Sequence, residues 1–206
     1  MHNEASSSPE NLMTDRPPNP IVSSDRLVFL MLISFGFYAF VWLYRNWEFF
    51  RGSIWPEDIR PGLRVLGVFV PILGLILIYR QFKEINQYLQ SNGMPGPYYT
   101  PGILAFGFYL ILGLHRFTER VEQLDIGVPI TVLVFAYTIL IMLLEIIPLM
   151  AFQNTLNTWW QRMGYPLPAV YKMSRVELGL SVFGSLLWIL SLMDLFSGLF
   201  IADTVF

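Results

Sequence analysis

An all-α, polytopic membrane fold with about five transmembrane helices is the class this sequence predicts, and three observations predict it. Hydrophobic types make up 54% of the 206 residues and charged types only 14%, against about 25% charged in an ordinary soluble domain. The apolar residues fall into blocks long enough to cross or enter a bilayer. Most of the chain also repeats itself, residues near 35 returning near 106. Too few polar residues remain to surround five apolar helices in water.

Residues 1–26 are rich in Ser and Pro (Ser6-Ser7-Ser8-Pro9, Pro17-Pro18-Asn19-Pro20). Such a segment buries too little apolar surface to offset the entropy of ordering, and it reads as a disordered tail. It lacks the basic start and short apolar stretch of a signal peptide. The first apolar block, Leu27 to Tyr44, has no charge. The second, Leu63 to Tyr79, has Arg64 and Arg80 at its ends, where their stems can snorkel. The third, Gly102 to Leu114, is short for a crossing and needs its flanking aromatics, or re-enters on one side. Thr100-Pro101 before it is a cap with Pro at the first helical position. The fourth, Val128 to Phe152, contains Glu145. The fifth begins at Leu178 and contains Asp194 and Asp203. Ser174-Arg175-Val176-Glu177 has capping-box spacing just ahead of it.

Self-similarity divides the chain further. Phe35-Gly36-Phe37-Tyr38 returns as Phe106-Gly107-Phe108-Tyr109, and Leu43, Arg45 and Glu48 return as Leu114, Arg116 and Glu119. Asn86, Gln90, Gly93, Pro95 and Pro97 return as Asn157, Gln161, Gly164, Pro166 and Pro168. The predicted layout is therefore a tail (1–26), a two-helix repeat (27–97), a second repeat (98–168) and a C-terminal transmembrane helix (169–206). An even number of spans per unit makes the repeats parallel, related about the membrane normal and not inverted. Phe183-Gly184 is a candidate start of a truncated third copy. Gly36 and Gly107, set among aromatics, are expected at close helix–helix contacts. Arg45 with Glu48, and Arg116 with Glu119, are expected as i, i+3 pairs. Gly93 and Gly164 stop their helices and the following prolines prevent continuation. The plain reading of the repeated residues, Tyr38, Tyr109, Asn86 and Asn157 included, is that they build the hairpin. The alternative is that two equivalent Gly-x-Pro-x-Pro loops form a docking surface.

Phe-Gly-Phe-Tyr followed by Trp42-Leu43-Tyr44-Arg45 resembles bacterial membrane proteins built from an uncharacterised domain with a T/S-x-G-x-Y-x-x-Y-W-x-Y-R/K hairpin. The resemblance covers both repeats and is sharp at Ser34–Arg45. In the second copy Gly113 and His115 replace Trp42 and Tyr44. It implies a multi-pass protein of a bacterial cytoplasmic membrane and supplies no catalytic residue.

The chain has no Cys and two His, which excludes disulfides, thiolate zinc sites and cysteine-ligated iron–sulfur clusters. A net charge of −2 gives no reason to expect a nucleic-acid partner. No nucleotide-binding Gly-rich loop, Ser/His/Asp set or HExxH is present. His115 could ligate a haem, but beside Arg116 it reads as an interfacial residue, and no cofactor is expected. The intramembrane acids carry more interest, since acids at such depth are expensive and face the bundle interior. Thr131, Thr138 and Glu145 are seven apart on one stripe, and Asp194 follows Ser191 by three. With seven Lys and Arg on one side of a five-span model and six on the other, the positive-inside rule leaves the orientation open. The sequence thus points to a non-enzymatic membrane subunit or scaffold whose partners are lipids and another membrane protein or a second copy. A small channel or transporter using Glu145, Thr138 and Asp194 is the alternative.

Overall fold

The computed structural model describes residues 21–94, 100–107, 130–166 and 173–202. The described residues form helices α1 (Ser24–Ile33), α2 (Tyr38–Phe49), α3 (Pro61–Val68) and α4 (Pro71–Ser91). They continue through α5 (101–107), α6 (Ile130–Arg162) and α7 (Arg175–Ala202). No strand occurs among them.

Two helices, α6 and α7, are long and apolar enough to cross a membrane. The core helix of a soluble protein passes the same test but is mostly buried. Here only 28% and 17% of the two most apolar windows are covered by the rest of the molecule. Pro148 does not interrupt α6, which runs through it.

The first two apolar blocks do not run straight, contrary to the five-span expectation. Ser34 ends α1, and its hydroxyl accepts the Tyr38 amide at 2.9 Å, so one residue closes α1 and caps α2. Between them Phe35 (φ 55) and Gly36 (φ 83) adopt left-handed backbone and reverse the chain. Arg26 and Arg45 reach the same carboxylate of Glu177 at 2.7 and 3.1 Å. In one straight helix they would stand roughly 28 Å apart. The second block folds back likewise. A Cβ on Gly67 in α3 would lie 2.8 Å from Leu77 of α4, positions about 15 Å apart along a continuous helix. Pro71 has no amide to continue α3 and suits the first turn of α4.

Helices α4 and α6 lie side by side in parallel. Phe82 meets Phe152 at 4.9 Å and Tyr88 meets Trp159 at 5.9 Å, both edge-on. Tyr88 and Trp159 are equivalent positions of the repeat. The two helices also end alike. Gly93 (φ 75) and Gly164 (φ 83) donate to Gln90 and Gln161, and the next amides, Met94 and Tyr165, reach Leu89 and Trp160. Both ends are therefore Schellman-type stops. The Phe-Gly positions are not equivalent. Gly36 makes a left-handed turn, whereas Gly107 is the last described residue of α5 and is helical.

The core lies between α2, α4 and α6. Trp42 sits 5.8 Å from both Phe82 and Phe152. Phe49 and Phe50 close one end against Trp160, Tyr165 and Tyr88. Helix α1 runs antiparallel to α6, Ser24 bonding Asn154, and α7 lies along α1 from Arg26 to Leu32.

Candidate functional site

The buried polar side chains gather into two ties between helices. The first is centred on Glu177, in the first turn of α7. Its carboxylate accepts the Ser174 amide at 2.7 Å while the Ser174 hydroxyl accepts the Glu177 amide at 3.2 Å, the capping box that the spacing implies. The same carboxylate, with a side chain only 1% exposed, also holds Arg26 of α1 and Arg45 of α2. The Tyr38 hydroxyl donates to it at 3.4 Å and accepts from Arg45 at 3.1 Å. Arg45 therefore does not pair with Glu48. Glu48 instead binds Arg51 at 2.6 Å on the surface, because the hairpin turns Arg45 towards α7.

The second tie runs across α2, α6 and the chain entering α1. The Trp42 indole donates to Gln153 at 2.6 Å, and Gln153 donates to Asn157 at 2.7 Å. Asn157 then binds both backbone groups of Val22, accepting its amide at 3.3 Å and donating to its carbonyl at 2.7 Å. This side-chain amide pins the chain just ahead of α1. We predict that Asn157→Leu leaves both Val22 groups unpaired and costs about 1–3 kcal/mol. Hydrogen exchange at the Val22 amide should accelerate in that variant, while Thr158→Ala, on the exposed face, should leave it unchanged.

Asn86, the repeat equivalent of Asn157, is buried too, but its carbonyl oxygen has no partner among the described residues, and neither do Gln81 Oε1 and Trp47 Nε1. Gln81 donates to the Leu43 carbonyl at 3.1 Å, so α4 is tied to α2 by one bond where α6 is tied by a relay. Sequence equivalence carries the helix ends across the two copies but not their side-chain chemistry.

The intramembrane acids are not brought together. Glu145 is 7% exposed and lies on the buried stripe of α6 with Met142 and Leu149. Thr138 donates to the Val134 carbonyl of its own helix at 2.8 Å and does not reach Glu145. Asp194 is exposed, and its backbone carbonyl accepts from Ser197. Trp188 meets Phe135, so Asp194 lies beyond that level while Glu145 lies roughly 15 Å before it. Among the described residues no group of three His, Cys, Asp or Glu could hold a metal ion.

The two glycines expected at close helix contacts are not there. Among the described residues a Cβ on Gly36 or Gly107 would meet nothing within 4 Å. The close approach is made by Gly184, where a Cβ would lie 2.6 Å from the Ser34 carbonyl carbon and nearer still to Ile33 O and Ser34 Cα. Around it Phe183 packs edge-on with Phe37 at 5.5 Å and Trp188 with Phe35 at 4.9 Å. The Trp188 indole donates to the Leu32 carbonyl at 2.7 Å, a second donor beside the Phe35 amide, which reaches the same oxygen at 3.2 Å. The third Phe-Gly is thus a clasp on the turn made by the first. Tyr109, Arg116 and the prolines of the first Gly-x-Pro-x-Pro loop lie outside the described residues. No family model, curated protein or solved structure matches this chain.

Proposed function

We propose that this chain is an integral protein of the cytoplasmic membrane, a non-enzymatic subunit or scaffold that packs against lipids and against another membrane protein or a second copy. One observation carries the reading. The two buried polar relays, around Glu177 and around Gln153 and Asn157, tie helices together, while the outward faces of α6 and α7, such as Leu143, Leu144, Ile147, Leu186, Ile189 and Leu190, are apolar and exposed. The resemblance to bacterial membrane proteins of the Phe-Gly-Phe-Tyr, Trp-Leu-Tyr-Arg type supports the location.

Orientation follows from charge. Every Lys and Arg among the described residues stands at the end where α2, α4 and α6 finish and α7 begins. Ile130 to Phe152 and Leu178 to Ala202 contain none. That rim faces the cytoplasm by the positive-inside rule. Ile130 lies at the far end, so the chain crosses towards the rim along α6 and back again along α7.

Alkaline carbonate should leave the protein in the membrane pellet, and release into the supernatant overturns the reading. A channel or transporter is the second reading, favoured by the buried Glu145, which has no hydrogen-bond partner among the described residues. The Glu145→Gln variant keeps shape and hydrogen bonding but cannot release a proton. We expect it to fold and to complement a deletion strain fully; a folded but inactive variant would support transport instead.

A further inference from the structure

We propose that the α1–α2 and α3–α4 hairpins insert into one leaflet only, the one beside the cationic rim, and that the protein acts on the bilayer as a wedge that favours curved membrane. The inference rests on the membrane reading above and adds what the protein does there.

Depth comes first. The ten, twelve and eight residues of α1, α2 and α3 measure about 15, 18 and 12 Å, close to half of a hydrocarbon core about 30 Å thick. The two tips meet, Phe40 stacking on Phe69 at 4.8 Å. Gly184 marks the level of the first tip, and α7 runs roughly 27 Å beyond it to Ala202. The tip stands about 13 Å into α7 from Arg175, so the hairpins reach only about a third of the height that α7 traverses.

The tips are also built for lipid. Irregular backbone is tolerated in hydrocarbon only where its polar groups are satisfied internally. At the first tip the amides of Phe35 and Gly36 bond Leu32 and Met31 at 3.2 and 2.8 Å, and that of Tyr38 bonds Ser34. Trp188 covers the Leu32 carbonyl. At the second, the amides of Phe69 and Val70 bond Leu66 and Gly67 at 3.2 and 3.1 Å, and Pro71 has none to satisfy. Around this second tip Leu63, Leu66, Phe69, Val70 and Ile72 are exposed and apolar. A water-facing turn has no need of such closure, and acyl chains are the occupant that this surface fits. Helices α1 to α4 lie on the rim side of the tips, whereas α6 and α7 run through both sides. Each helix displaces a cylinder about 10 Å across, so the rim leaflet is widened more than the other.

The chain has no Cys, so single-cysteine variants report without background. Ser53, between the hairpins, and Ser91, after the second, are both exposed. In sealed vesicles of one orientation, Ser53→Cys and Ser91→Cys should react with an impermeant maleimide from the same side. Labelling from opposite sides, as straight crossings require, overturns the hairpins and the wedge, while carbonate-resistant attachment of the same variants leaves the membrane reading standing. The full chain, offered to detergent-softened phosphatidylcholine vesicles of small and large diameter, should reach a severalfold higher density per lipid in the small ones. Equal density, with both cysteines on one side, overturns the wedge and keeps the hairpins.

Discussion

Glu177→Leu is expected to lower stability by about 3 kcal/mol, the scale on which removing one partner of a buried ion pair leaves a charge uncompensated. Four ties are cut at once: the cap of α7, the bonds to Arg26 and Arg45, and the hydroxyl bond from Tyr38. The two arginines are not equal. Arg45 has a side chain 40% exposed and can turn outward to water, whereas that of Arg26 is only 13% exposed and loses its short ion pair in a buried setting. Arg26→Met should therefore cost more than Arg45→Met. The double variant Arg26→Met with Glu177→Leu should recover part of the loss, since an apolar pair replaces a buried ion pair broken on one side. On the surface Glu48→Ala removes only the exposed bridge to Arg51 and should change stability by less than about 1 kcal/mol. Thermal unfolding in mild detergent checks the series. A Glu177→Leu variant no weaker than Glu48→Ala would show that the interlock of α7 with the first hairpin does not hold the fold.

The capping box at Ser174 and Glu177 and the Schellman stops at Gly93 and Gly164 were legible in the sequence because each is local, written within a few residues and made by backbone rules. The second role of Glu177 was not. Its partners lie 151 and 132 positions away in the chain, and one sequence carries no signal for a pairing at that distance. Local spacing in fact suggested the wrong partner for Arg45, since Glu48 stands at the correct helical offset. Apolar length misled in the same way. A block from Leu27 to Tyr44 has the hydropathy of a span whether it runs straight or doubles back, because hydropathy records composition and not path. The cues to the hairpins were punctuation: Ser34 and Gly36 in the first block, Gly67 and Pro71 in the second.

Gly184 is where the largest steric effect is expected. At most helical glycines an added methyl is favourable, since Gly in a helix interior costs roughly 0.5–1 kcal/mol relative to Ala. Gly179, five residues earlier on α7, has nothing within 4 Å of its Cβ position, so Gly179→Ala should be neutral or stabilising. Gly184→Ala meets the backbone of Ile33 and Ser34, atoms that cannot rotate away as a side chain does. To admit the methyl, α7 must withdraw from the turn, which separates Phe183 from Phe37 and Trp188 from the Leu32 carbonyl. Overpacking costs typically about 1–3 kcal/mol, and loss of the indole bond adds about 1 kcal/mol, the net worth of one hydrogen bond, since the Phe35 amide still holds the Leu32 carbonyl. Gly184→Ala should therefore unfold well below the parent in detergent, and Gly184→Leu should fail to accumulate. A second measurement separates withdrawal of α7 from general loss of folding. Trp188 fluorescence should shift to the red in folded Gly184→Ala as its indole leaves the Leu32 carbonyl, while Gly107→Ala, with open space at its Cβ, should match the parent in both assays. Parent-like melting and emission for Gly184→Ala would mean that α7 does not lie against the turn of the first hairpin.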